Sequence, residues 1–241
     1  MTSTTQAQFS VGSVLSQSIS VFLANLVPFC VLALVLMVPS LIYGIIFMSN
    51  PAAGISAGSL IAIIIQMVLS QLTAAAITYG SFQYLRGQPV GIGDALSRGL
   101  SLILPVIGVA VLAGLAIGIG VILLIVPGVI IAVMLWVAIP AAVVERPGIV
   151  ESLKRSADLT KGYRWHVFGV LLIIVVVAGV IGFVLQFILL SAGGFTLYSI
   201  GNWIVNAVFG AFSATAAAVG YYFLRVAKEG VDIAEIAKVF D

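Results

Sequence analysis

Charge is what this chain of 241 residues has least of: ten Lys and Arg and eight Asp and Glu make 7% of it, and none precedes Arg86. A cleavable signal peptide needs a basic stretch ahead of its apolar core, so the first apolar run reads as a retained helix. Cysteine is almost absent. Cys30 alone excludes an intramolecular disulfide or a thiolate metal cluster, and in its apolar run it reads as a small hydrophobe. His166, the sole histidine, cannot build a metal site or a triad, and beside Trp165 it reads as an interfacial anchor. Gly91-Ile92-Gly93 lacks the third glycine and the preceding strand of a nucleotide fingerprint. No catalytic residue, cofactor, metal or nucleic-acid partner is expected.

Apolar residues fill the space that charge leaves. At 62% hydrophobic residues and a mean hydropathy of +1.29, the chain has more apolar surface than a water-soluble domain can hide. No segment is polar and long enough for a separate soluble unit, so 1–241 reads as one membrane domain. A hydrocarbon core of about 30 Å takes about 20 helical residues to cross. The expected fold class is therefore all-α, a polytopic bundle of six transmembrane helices near 24–48, 60–84, 102–124, 128–144, 167–190 and 196–224. The apolar stretch 100–144 is too long for one span, and Pro127-Gly128 in its middle predicts the turn of a tight helical hairpin. Pro28, Pro39, Pro105 and Pro140 are expected to kink their helices, with neighbours recovering the freed carbonyls.

The charges fall on one side of that bundle. Arg86, Asp94 and Arg98 lie between helices two and three, five basic and three acidic residues lie in 145–164, and the rest follow from Arg225. The connections 49–59, Pro127 and 191–195 carry none. Basic loops stay on the cytoplasmic side, so both termini are expected there, in the plasma membrane. Tyr84, Tyr163, Trp165, Tyr221 and Tyr222 mark the inner interface and Tyr198 and Trp203 the outer one, while Trp136 is expected between helices.

A repeat precedes helices one, three and five: Val11-Gly12-Ser13-Val14-Leu15-Ser16-Gln17-Ser18, Ile92-Gly93-Asp94-Ala95-Leu96-Ser97-Arg98-Gly99 and Ile149-Val150-Glu151-Ser152-Leu153-Lys154-Arg155-Ser156. Apolar residues recur in each at helical spacing opposite a polar face, the pattern of a short interfacial helix. Three parallel units are expected, each an amphipathic helix followed by two spans.

Several of these residues carry a resemblance. Val126-Pro127-Gly128, Glu145, Glu151-Ser152-Leu153-Lys154-Arg155-Ser156 with Leu159, Gly162 and Trp165, and Tyr221-Tyr222-Phe223-Leu224-Arg225 with Lys228-Glu229-Gly230 look like the membrane domain attached to some glycerophosphodiester phosphodiesterases. That family includes stand-alone six-helix proteins of the bacterial inner membrane. The resemblance implies the bundle and not the activity, which belongs to a separate soluble barrel. Phe223 stands where related sequences often have an acidic residue, which puts any carboxylate role there in doubt.

Two sets of candidate contacts remain. Glu145, Glu151, Lys154, Arg155, Lys161 and Arg164 form the densest charge and the candidate cytoplasmic interaction surface, with Ile149, Leu153 and Ala157 expected to lay their helix flat on lipid. Its expected partners are anionic lipid head groups or an acidic protein. Asp94, Glu145, Glu151 and Asp158 are expected in solvated ion pairs, Glu151 with Arg155 for example. Inside the spans no ionisable residue is expected, which argues against a proton relay. Gln66, Gln71, Gln186 and Asn206, with Asn202, are the candidate intramembrane polar contacts. Gly114 with Gly118, and Gly210 with Ala214 and Ala218, are small pairs for close helix packing, within one chain or in a homo-oligomer. The functional classes left are an interaction or scaffold protein, a channel or lipid-handling protein with an uncharged polar path, and an embedded enzyme.

Overall fold

A computed structural model describes residues 9–49 and 57–230 of the chain. The described residues are helical with short connections and contain no strand. Six helical stretches are long and apolar enough to cross a membrane: Leu26–Ile46, Gly58–Leu85, Ile103–Leu123, Ile125–Val144, Arg164–Ser191 and Thr196–Glu229, here spans one to six. The last two belong to a single helical element, Arg164–Glu229. Sixteen residues of straight helix would hold Gln186 and Asn202 about 24 Å apart, yet Gln186 Nε2 donates to Asn202 Oδ1 at 2.7 Å. The chain therefore doubles back between them, and spans five and six run antiparallel.

In chain order the described helices are α1 (Val11–Ala24), α2 (Leu26–Ser49), α3 (Ala57–Leu85), α4 (Ile92–Ser101), α5 (Ile103–Leu123), α6 (Ile125–Leu135), α7 (Ala138–Val144), α8 (Ile149–Thr160) and α9 (Arg164–Glu229), and the short α1, α4 and α8 precede spans one, three and five. Their first residues are the first residues of the three repeated segments, so each unit is a short amphipathic helix and two spans. Ser10 caps α1 by accepting from the Ser13 N–H at 3.1 Å, the usual use of a Ser at an N-cap. Val14, Ser18, Val21 and Phe22 of α1 are buried, and Phe22 meets Phe212 of span six edge-on.

The hairpin of spans three and four turns at Leu124, not at Pro127-Gly128. Leu124 is the one extended residue between the helices Ile103–Leu123 and Ile125–Leu135. Pro127 then sits in the first turn of the second helix, where its missing N–H has no partner to lose. Gly128 lets the two helices touch: a Cβ there would stand 2.7 Å from the Val121 nitrogen. By contrast, nothing lies within 4 Å of a Cβ on Gly114, Gly118 or Gly210, so these expected glycine contacts are not made among the described residues.

Span four breaks once, between the helices Ile125–Leu135 and Ala138–Val144. Pro140 has no N–H to offer the Trp136 carbonyl. The Met134 carbonyl at the break is recovered by Ser156 Oγ at 2.8 Å and Thr160 Oγ1 at 3.3 Å, both from α8. Trp136 does pack between helices, against Gly220 of span six, where a Cβ would come 2.4 Å from its ring. The connection 50–56 and the tail 231–241 lie outside the described residues.

Candidate functional site

The charged end of the bundle is built around Glu145, the residue that ends span four. Pro147 disfavours the helical region for the residue before it, and Arg146 takes φ 52° while Gly148 takes φ 113°, a value glycine reaches without strain. The chain thereby turns sharply into α8 and brings Arg155 back over Glu145. Arg155 Nε donates to both Glu145 oxygens at 2.8 Å, and its Nη2 lies 2.5 Å from Glu229 Oε1 at the end of span six. Arg225 Nε lies 2.8 Å from Glu229 Oε2 and 3.8 Å from Glu145 Oε1. Tyr221, fully buried with its ring edge-on to Phe82 of span two, donates its hydroxyl to Glu145 Oε1 at 2.5 Å. Lys228 adds a bond to the Asp158 carbonyl of α8.

Two carboxylates and two guanidiniums thus form a neutral, closed network, with side chains 14–27% exposed. Burial works against the Arg155 charge, but its bonds to Glu145 and Glu229 outweigh that and raise its pKa above the ordinary value. Chemically this is a clamp: span four, α8 and span six are tied through groups whose lone pairs and protons are already matched.

The other expected surface residues behave differently. Lys154, Lys161 and Arg164 are exposed and form no ion pair among the described residues. Glu151 does not pair with Arg155. Its Oε2 turns back onto the start of α8, 2.7 Å from where a Gly148 Cβ would stand, the favourable place for an acid at a helix N-terminus. Asp94 does the same at Gly91 instead of pairing with Arg98. The side of α8 turned most deeply into the bundle is not that of Ile149, Leu153 and Ala157. Its buried residues are Ser152, Ser156, Leu159 and Thr160, while Ile149 stays 36% exposed beside Gly108 of span three and Leu153 packs against the core cluster that includes Val106 and Val143. Small hydroxyl residues allow the close approach and supply the donors that Met134 needs. Arg146 is exposed, and partial burial, then the nearby Arg98 charge, lowers its pKa.

At the neutral end the uncharged polar residues converge. A half-enclosed cavity of about 500 Å³ lies between spans one, two and six, lined in part by Ser40, Gln66, Asn202, Trp203 and Asn206. Asn202 Oδ1 accepts from Gln186 at 2.7 Å and from Asn206 Nδ2 at 3.0 Å, and Trp203 Nε1 donates to the Met37 carbonyl at 2.9 Å, two residues before Pro39. Gln66 Nε2 reaches only the Met37 sulfur, at 2.7 Å, and its Oε1 is buried without a donor. Gln71 stands apart, its amide 3.4 Å from Ser70 Oγ and its Oε1 also unmet.

Six apolar spans with their described charges at one end and their amides gathered at the other define a polytopic membrane-embedded protein. Its family model, described as a domain of unknown function (DUF7847), matches residues 87–224, more than half of the chain, and the chain belongs to that family. No curated protein and no solved structure matches it.

Proposed function

We propose that this is a membrane-organising interaction protein that gathers anionic lipid head groups at its charged face. The observation that carries the reading is the division of labour on α8 and its exit: Arg155 is committed to Glu145 and Glu229, while Lys154, Lys161 and Arg164 stay exposed without a carboxylate among the described residues. Arg98 and Arg146 add two cations close enough to feel one another. Each such residue contributes about 1 kcal/mol near an anionic surface. The positive-inside rule puts this face and both termini in the cytoplasm, and the resemblance to stand-alone relatives of the phosphodiesterase membrane domain suits a bacterial inner membrane. Glu145, Arg155, Tyr221, Arg225 and Glu229, all within the motifs of that resemblance, meet in one clamp, which supports a shared framework.

The test is phosphatidylglycerol retention by the full chain from mixed micelles with phosphatidylcholine. Replacing Lys154, Lys161 and Arg164 together by Gln should abolish the preference for phosphatidylglycerol while leaving orientation unchanged. A triple variant that keeps the preference would reduce these charges to an orientation signal and end the proposal. Orientation is read with Cys30 replaced by Ala: Leu124→Cys should be labelled by an impermeant thiol reagent from outside and Ser97→Cys should not.

A further inference from the structure

We infer that the cavity at the neutral end holds the hydroxyl-bearing head group of an uncharged lipid, of which a diacylglycerol is the simplest. This site is separate from the cationic face and does not depend on it. Its depth comes from the helices themselves. Asn202 precedes Arg225 by 225 − 202 = 23 residues and Gln66 precedes Arg86 by 86 − 66 = 20, which at helical rise is about 30 to 35 Å. The hydrocarbon core is about 30 Å thick. The amides therefore stand in the far half of the bundle, eight residues inside the end of span two at Gly58, where a lipid of that leaflet reaches them with its glycerol end drawn inward.

The lining sets the chemistry. Its polar groups are amides, hydroxyls and an indole, and no described lining residue carries a charge. A phosphate or ammonium group would enter without a counter-charge, an unfavourable exchange of water for a low-dielectric wall. A hydroxyl both donates and accepts. It can give Gln66 Oε1 the donor it lacks and accept from the cavity's amide N–H groups.

That unmet carbonyl is what points to a ligand. Buried polar groups in native structures have partners, and the sulfur that Gln66 does reach is a weak acceptor. Turning the amide over exchanges which of its two groups is unmet and leaves the deficit. The neighbouring amides Gln186, Asn202 and Asn206 already bond to one another. Beside the polar groups the wall includes Met37, Leu41 and Ala207, and along span one Val38, Ile42 and Ile45 face outward at 38%, 52% and 40% exposure. An acyl chain can lie along that face while its glycerol end enters the cavity, which favours a lipid over a free polyol.

The experiment places the full chain in phosphatidylcholine nanodiscs containing dioleoylglycerol and reads retained lipid by native mass spectrometry. One dioleoylglycerol per chain should be kept in preference to the matrix lipid. Two variants remove the site in different ways. Gln66→Leu takes away the unmet amide. Gly44→Trp fills the cavity, since Gly44 lines it and a Cβ there meets nothing within 4 Å. Each should lower dioleoylglycerol retention about tenfold, the loss of roughly one hydrogen bond's free energy, and leave phosphatidylglycerol retention at the cationic face as in the parent. In lipid-free micelles Gln66→Leu should melt no lower than the parent. No preferred dioleoylglycerol, full retention by both variants, or a lower melting point for Gln66→Leu would each overturn the inference.

Discussion

The two ends of the bundle handle buried polarity in opposite ways. At the charged end Glu145, Arg155, Arg225 and Glu229 pair one another and Tyr221 meets Glu145, so every named group has its partner. At the neutral end an amide chain runs through Gln186, Asn202 and Asn206, but Gln66 is left with a carbonyl that nothing in the described protein satisfies. A closed network resists change and holds elements together, whereas an open one beside a cavity leaves a place for another molecule. Variants at each end should therefore differ in sign as well as size.

The largest effect is expected for Glu145→Ala, which leaves Arg155 and the Tyr221 hydroxyl each without their main acceptor. Breaking a buried pair costs about 3 to 5 kcal/mol. Glu145 is 20% exposed, so a loss of about 2 to 3 kcal/mol is expected after solvent screening. Reversible unfolding in mixed micelles measures it. A double-mutant cycle with Arg155→Ala should give a loss well below the sum of the two single losses, because the network is one unit. An additive cycle would show that the clamp does not act as one.

Next comes the helical hairpin. A Gly128→Ala methyl would fall 2.3 Å from Val121 Cγ2 and 2.7 Å from the Val121 nitrogen, and backbone cannot move aside as a flexible side chain can. Overpacking of this kind costs about 1 to 3 kcal/mol. Pro127→Ala, in the first turn beside it, should be close to neutral in the same assay. Equal losses in both variants would return the turn to Pro127. Tyr221→Phe is the milder probe of the clamp. It removes one hydrogen bond to a carboxylate that keeps Arg155, so about 1 to 2 kcal/mol should be lost, with the apolar ring contact to Phe82 unchanged.

Much of this bundle was legible before any coordinates. Six runs of apolar residues, separated by loops alternately charged and neutral, have few other solutions in a bilayer, and the repeated segments begin where α1, α4 and α8 begin. What the sequence hid were choices made between distant residues. Local rules offered Arg155 the neighbour Glu151 at i,i+4, but its partners Glu145 and Glu229 are brought in by the turn at 146–148 and by span six. Helical periodicity put the apolar residues of α8 on lipid. It could not show that Met134 would need two donors, and so could not foresee that Ser156 and Thr160 would be turned inward. Pro127-Gly128 reads as a turn by composition, yet a proline is equally at home in the first turn of a helix, and the extended backbone of Leu124 and the glycine's contact with Val121 distinguish the two.

The smallest expected effects test the opposition of the two ends most directly, because they compare the same substitution at paired and unpaired amides. Gln186→Leu breaks the bond from Gln186 Nε2 to Asn202 Oδ1. Interhelical hydrogen bonds in membranes average about 0.6 kcal/mol, so a loss of that order is expected in mixed micelles. Gln71→Leu removes an amide whose carbonyl is buried without a donor and whose nitrogen reaches Ser70 only at 3.4 Å. Taking away a polar group that has lost its water and gained no partner relieves a penalty instead of breaking a bond. Leu also fits an apolar helix without adding a branched Cβ. Gln71→Leu should therefore be neutral or raise stability by a few tenths of a kcal/mol. With the same residue type and the same replacement, only the hydrogen bonding separates the two variants. If both lower stability equally, Gln71 has a partner of its own, and its unmet carbonyl cannot be ascribed to the fold.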